Sequence, residues 1–303
     1  MKLSIIVPAH NEEQNIAKCL NELRHELRDI CNIPYEIIVV NDNSRDGTEE
    51  VVRSEIETDS SITLINRRPP NGFGRAVRSG LETVTGDVVV IYMADLSDSP
   101  EDVTAYYRKI EEGYDCVFGS RFRKESRVEN YPRFKLIVNR IVNHSIRLMF
   151  WTKFNDLTNA FKAYRTHVIR DSGPYVSSHF NITLEMSLGV LMRRYNIAEI
   201  PIRWSGREWG ASNLNLRTMG RRYLSTLLMT FFQKILVSDD LIAERLSSKA
   251  EYGKLMWELE ERVERLESIV DSNRLEQITN QIDQTLEENL SDEDSNELSI
   301  LLH

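Results

Sequence analysis

The chain of 303 residues has only three cysteines, Cys19, Cys31 and Cys116, spread over segments that read as helix, loop and strand. That odd, scattered set excludes a disulfide scaffold, favours a reducing cytosol, and lacks the close Cys/His spacing of a zinc site. No run of ~18 continuous apolar residues occurs, so no segment reads as a membrane-spanning helix. Neither a G-x-G-x-x-G after the first apolar stretch nor a G-K-[ST] is present, which removes the dinucleotide-binding fingerprint and the P-loop. A net charge of −9, without basic stretches interleaved with aromatics, removes a nucleic-acid-binding face. Internal repeats are absent. Met1-Lys2 leads straight into an apolar strand, so a cytoplasmic location without a secretory leader is expected.

What is there is a regular alternation. Leu3 to Pro8, Tyr35 to Val40 and Ser61 to Asn66 read as buried strands, and a fourth ends near Tyr92. Between them lie amphipathic helices, one carrying Ile16, Leu20, Leu23 and Leu27 on a single face and one running from Arg75 to Val84. Strands and helices alternating at this spacing predict right-handed βαβ units and an α/β fold with a mostly parallel sheet. Polar clusters recur at the strand C-termini, where open α/β sheets hold ligands.

The cluster after the fourth strand is the most informative. Asp95, Ser97 and Asp98 follow VVVIYMA directly, and carboxylates there suit an oxygen-loving cation such as Mg²⁺ or Mn²⁺ bridging to a diphosphate. Ser97 or Asp98 before Pro100 also fits an N-cap for the next helix, and both readings stay open here. After the second strand, Asp42 can accept the N–H of a nucleobase, within a turn built from Asn43, Ser44 and Gly47. Gly72 and Gly74 precede a helix and would let backbone approach a ligand closely.

These segments, in order, carry a resemblance: Ser4 to Glu13 (SIIVPAHNEE), Val39 to Thr48 (VVNDNSRDGT), Gly72 to Ala76 (GFGRA), Ala94-Asp95-Leu96, Gly119 to Phe122 (GSRF) and Asp156 to Arg165 (DLTNAFKAYR). Together they are similar to family 2 glycosyltransferases of the GT-A fold, and most similar to the dolichol-phosphate (polyprenyl-phosphate) mannosyltransferase branch. The similarity covers roughly residues 1 to 225. It implies a Rossmann-like sheet flanked by helices and inverting transfer of a sugar from a GDP- or UDP-linked donor. Pro8, Asn11 and Glu12 would line the nucleotide site with Asp42 and Ala94, and the Gly72–Gly74 loop would pass the ribose and diphosphate. Asp95 would be the metal-binding acid of the family's DxD motif. Met93 stands at the first acidic position, so cation binding must lean on Asp95 with Ser97 or Asp98. Arg207 and Ser212 belong to the loop that closes over the donor, and Asn213 stands where the branch often has a lysine.

On the acceptor side the resemblance assigns Arg121 to phosphate contact, with Arg133 and Arg140 as helpers. A phosphate acceptor is already ionised at neutral pH and needs cations more than a base. For a hydroxyl acceptor, Asp156 or Glu185 would have to take a proton. The expected activity is therefore transfer to a lipid phosphate at a membrane surface. Alternatives are transfer to a saccharide hydroxyl in glycan assembly, or a weakly catalytic nucleotide-binding scaffold.

From Glu251 onward 15 acids face 4 bases, which leaves the first 250 residues at +2. Tyr223 to Val237 and Phe134 to Trp151 have apolar residues at helical spacing and basic flanks, suiting an interfacial helix or a packed one. Tyr252, Met256, Leu259, Val263, Leu266 and Val270 form a heptad seam that predicts a coiled coil, joining two copies or a partner helix. The expected organisation is a catalytic domain over 1–225, a connecting helix over 226–247, a coiled coil over 248–290 and an acidic disordered tail over 291–303.

Overall fold

A computed structural model describes residues 1–206 and 216–269. The chain divides into two compact units, Met1–Ile242 and Ala243–His303. In the first, seven strands form one sheet: β1 (Leu3–Ala9), β2 (Tyr35–Asn41), β3 (Ile62–Asn66), β4 (Val88–Ile91), β5 (Cys116–Ser120), β7 (Lys162–Arg165) and β8 (Ile197–Pro201). Their order is β3-β2-β1-β4-β7-β5-β8, with Ile6 opposite both Ile38 and Ile91. All pairs are parallel except those of β7, which runs antiparallel to both β4 and β5. A two-stranded parallel ribbon, β6 (Arg127–Glu129) with β9 (Arg203–Ser205), stands beside this sheet.

Every residue of β1 is buried, as a central strand covered on both faces requires. Its alternate side chains serve opposite layers: Leu3, Ile5 and Val7 pack with α1 (Ile16–Arg24) and α4 (Pro100–Glu111), whereas Ile6 packs with Ala76 of α3 (Phe73–Leu81). Helix α1 continues into a π-helical turn over His25–Ile30, and α2 (Thr48–Thr58) follows β2. Under β5 and β7, Phe118 and Tyr164 pack with α5 (Arg133–Phe150), α6 (Thr166–Ser172) and α7 (Ile182–Met192).

The helix α8 (Leu216–Ile269) runs without a break through the expected boundaries at 225 and 247. Val270, the rest of the expected coiled coil and the acidic tail lie outside the described residues. No described helix is long and apolar enough to cross a membrane. All three cysteines are free thiols.

Candidate active site

The loops after β1 and β2 are stitched together by their own polar side chains. Asn11, at φ 56°, accepts from Arg45 N (2.8 Å) and donates its own N–H to Ser44 Oγ (3.0 Å). Glu12 N donates to Thr48 Oγ1 (2.9 Å) and its buried carboxylate accepts from Asn15. Pro8 is buried near the end of β1 and Ala94 is buried in the turn that follows β4. Asp42 is buried where these loops meet, ion-paired with Arg67 and accepting from Gly72 N at 2.6 Å. Each carboxylate oxygen keeps a second lone pair, so the group is fixed in place and still able to accept from a base.

Gly72 and Gly74 have a different role from the one expected. A Cβ on Gly72 would lie 2.2 Å from Ser178 O, and one on Gly74 would lie 2.4 Å from Ser177 O. The close approach is therefore to the chain's own 177–179 backbone rather than to a ligand. That backbone is anchored by Glu185, whose carboxylate accepts from Val176 N and Ser177 N, both at 2.9 Å. Glu185 thus serves as a loop anchor and is not among the residues lining the cavity described below, which corrects its candidacy as a base.

After β4 the chain turns through Leu96 at φ 61° and buries Asp95, Ser97 and Asp98 together. The capping alternative fails, because Ser99 occupies the N-cap of α4. Ser97 N donates to Asp95 Oδ1 at 3.2 Å, and Ser97 O accepts from Ser205 N. Asp98 Oδ2 is buried and accepts no hydrogen bond. Burial, reinforced by the neighbouring Asp95 charge, pushes the Asp98 carboxyl well above the usual range. An orphaned oxygen beside a second carboxylate fits a hard divalent cation, which would relieve both the desolvation and the repulsion. Among the described residues no three of His, Cys, Asp and Glu gather into a metal cage, so the remaining ligands would come from a bound diphosphate and water.

Arg121 lines the same cavity as this loop, over the ring of Trp204, which pairs with Asp98. Its Nε and Nη2 each reach Asp156 at 2.8 Å, and its backbone N adds a third bond at 3.0 Å. The rings of Phe122, Tyr131 and Trp204 surround the guanidinium at 5.6, 5.6 and 6.0 Å. Asp156 is buried with both oxygens committed to a permanent cation, which suits it to aiming Arg121 and not to taking a proton. Its reading as a base is corrected accordingly. Arg140 sits over the Phe122 ring at 4.7 Å, while Arg133 is exposed. Sequence reasoning missed the ring partners Tyr131 and Trp204. It also missed Lys162, fully buried, whose Nζ donates to Leu157 O, Asn159 O and Ser187 Oγ at 2.8, 2.6 and 2.7 Å. That tripod fixes the turn presenting Asp156; only a charged residue inside an apolar strand hinted at it. Arg207 and Ser212 lie outside the described residues.

These residues open onto a cavity of about 740 Å³. Asp95, Asp98 and Arg121 form its polar end, and Val138, Ile141 and Val142 of α5 with Tyr223, Leu224 and Leu227 of α8 form its apolar wall.

This crevice at the strand ends of a mostly parallel sheet defines a GT-A-type α/β protein. The first match is of fold alone: glucosyl-3-phosphoglycerate synthase from Mycobacterium tuberculosis, solved with Mn²⁺, UDP and glucosyl-3-phosphoglycerate, has a TM-score of 0.58 at 21% identity, covering 76% of this chain and 79% of that one. Residues 4–173 match the model of Glycosyl transferase family 2, and the chain belongs to that family. Dolichol-phosphate mannosyltransferase of Pyrococcus furiosus is 30% identical over 224 residues, 72% of this chain and 61% of the relative. Polyprenol monophosphomannose synthase of Mycolicibacterium smegmatis is 25% identical over 217 residues, 70% of this chain and 80% of the relative. The undecaprenyl-phosphate 4-deoxy-4-formamido-L-arabinose transferase of Shewanella sediminis is 29% identical, and the chain again spans 61% of its length.

Proposed function

We propose that the chain transfers a glycosyl group from a nucleotide-sugar donor to a polyprenyl phosphate at a membrane surface. The observation that carries this reading is the cavity itself, apolar along α5 and α8 and ending at a polar end made by Arg121, Asp95 and Asp98. An isoprenoid phosphate has the same two-part chemistry. The relatives that act on dolichol, polyprenol and undecaprenyl phosphates support the same acceptor class. Asp156 and Glu185, the two residues expected to serve a hydroxyl acceptor as base, are both occupied, whereas a phosphate oxygen arrives ionised and needs none.

Asp42 would receive the base, and the Asp95–Asp98 loop would face the donor's diphosphate. Mn²⁺ or Mg²⁺ held by Asp95 and Asp98 would neutralise the departing nucleoside diphosphate. Arg121, aimed by Asp156, would hold the acceptor phosphate in line with the anomeric carbon. The acceptor oxygen bonds to that carbon as the bond to the donor phosphate breaks, the electron pair leaving with the nucleotide and the centre inverting. The heptad seam from Tyr252 supports a second copy or partner helix as a further partner.

The test is turnover of a panel of UDP and GDP sugars by the purified chain with Mn²⁺, Mg²⁺ or EDTA, with and without a short polyprenyl phosphate. Cation-dependent transfer to the lipid is expected. Tight nucleotide binding with transfer only to a saccharide hydroxyl, or with no transfer, would overturn the acceptor assignment.

A further inference from the structure

The short ribbon of β6 and β9 touches both charged parts of the site through one residue. Trp204, in the middle of β9, pairs its backbone with Asp98 in an antiparallel bridge. On either side of it, Ser205 N donates to Ser97 O at 3.0 Å and Arg203 N donates to Asp102 Oδ2 at 2.7 Å. Tyr92 OH adds a bond to Asp98 O at 2.6 Å from the core. Ser97, Asp98 and Trp204 each line the active-site cavity and also a second cavity of about 540 Å³. With open space on more than one side, the loop takes its position from these hydrogen bonds, and β9 supplies most of them.

The indole of the same residue meets the guanidinium. Its ring lies 6.0 Å from the Arg121 guanidinium carbon and 4.9 Å from the Tyr131 ring, inclined at 49°. Tyr131 follows β6, lies 5.6 Å from the same carbon, and accepts from Asn139 Nδ2 of α5 at 2.9 Å. Asp156 takes Nε and Nη2 of Arg121, so Nη1 is the nitrogen left for an acceptor oxygen, and the rings bound the space in which the guanidinium tilts. An in-line displacement needs the carboxylate loop and this nitrogen at one fixed separation, and a misplacement of about 1 Å can cost about 100-fold in rate. Trp204 meets the loop with its backbone and the guanidinium with its ring.

We infer that Trp204 is a positioning residue that sets the separation of the Asp95–Asp98 loop from Arg121 and couples occupation of the one to the affinity of the other. Occupation of the carboxylate loop fixes it, the bridge at Asp98 passes that constraint to β9, and the indole passes it to the guanidinium. The effect is reciprocal, so an acceptor phosphate on Arg121 tightens the nucleotide in the same ratio. A phenyl ring at this position keeps a face against Arg121 and Tyr131, whereas leucine fills the space without one. The inference deepens the proposed function and rests on it for which ligand occupies each place.

The experiment is calorimetric binding of a short, detergent-dispersed polyprenyl phosphate to the full-length chain, alone and with saturating Mn²⁺ and UDP or GDP, for wild type, Trp204→Phe and Trp204→Leu. Wild type is expected to bind the lipid at least about fivefold more tightly with the nucleotide present, Trp204→Phe to keep most of that ratio, and Trp204→Leu to bring it to about one. Nucleotide affinity without the lipid should be unchanged in both variants. In turnover, Trp204→Leu should lower kcat about 100-fold with little change in the KM of the sugar nucleotide, a split that lost stability alone does not produce. A ratio of one in wild type overturns the coupling whether or not the leucine variant folds, and so does a wild-type ratio in folded Trp204→Leu; both leave the acceptor reading in place. Nucleotide binding by wild type with no lipid binding refutes the acceptor reading itself, and the inference with it.

Discussion

Replacing Asp156 by asparagine separates two roles that its position allows. If the carboxylate were a general base, Asp156→Asn would abolish transfer and leave the fold as stable as before. If it holds Arg121, the same change leaves a guanidinium unpaired where the two side chains are 9% and 1% exposed. Breaking a buried pair from one side costs about 3–5 kcal/mol. The three rings around Arg121 retain part of the compensation, so the lower end of that range is expected. For a compact unit of this size each kcal/mol shifts the midpoint by about 2–4 °C, giving a fall of roughly 10 °C. Melting of the ligand-free protein followed by circular dichroism reads this directly. In an Arg121→Met background the cation is gone, and Asp156→Asn should then have a much smaller effect, a coupling of about 2 kcal/mol. A wild-type melting temperature for the single Asp156→Asn variant would refute the argument and return Asp156 to the role of base.

Asp95→Ala should remove the part of nucleotide affinity that depends on Mn²⁺ while leaving melting unchanged; calorimetric titration with Mn²⁺ and with EDTA checks this, and a retained cation effect would move the site elsewhere. Gly74→Ala places a Cβ against Ser177 O and His179 N and should destabilise by about 1–3 kcal/mol in urea unfolding, with unaltered stability counting against the close packing. Burial pulls the Lys162 ammonium down from its ordinary value of 10.5 to about 7, against the raising effect of Asp156. Between those pH values the unfolded chain holds the extra proton, so this group's contribution to stability rises with pH, by at most about 1.4 kcal/mol per unit. Comparing wild type with Lys162→Met by urea unfolding from pH 7 to 9 isolates that slope, and parallel profiles would mean that the ammonium stays charged on its three acceptors.

Strands β1, β2 and β4 were legible because burial leaves continuous apolar runs, and β1 and β2 begin where their sequences predict. Strand direction was not legible: KAYR in β7 has no feature marking it as reversed, since direction is set by the connections around it. At the site, Asp95, Ser97, Asp98 and Arg121 were recognisable from residue type and position, and all four line one cavity. Their partners were not. Asp156 meets Arg121 across 35 residues, and the backbone that fills the space at Gly72 and Gly74 lies about a hundred residues downstream. A glycine's need for space is visible in a sequence, but what occupies the space is not. The apolar residues of α8 were visible as a periodic pattern, whereas which of them pack on the core, as Tyr223, Leu227 and Phe231 do, and which face outward required the packing to be known.

The reversal of β7 has a consequence for how such a protein can change over time. A reversed strand starts at the edge where its parallel neighbours end, so the segment that precedes it, with Asp156 and Asn159, reaches the same crevice as the segments that follow β1, β2 and β4. On the proposed reading, the nucleotide would be held by segments of the first half of the chain and the lipid by 121–160 and α8, where Asp156 fixes Arg121 and Lys162 fixes the turn that carries Asp156. Under the proposed function, substitutions in the second group would alter which acceptor is taken without touching the residues that would hold the donor.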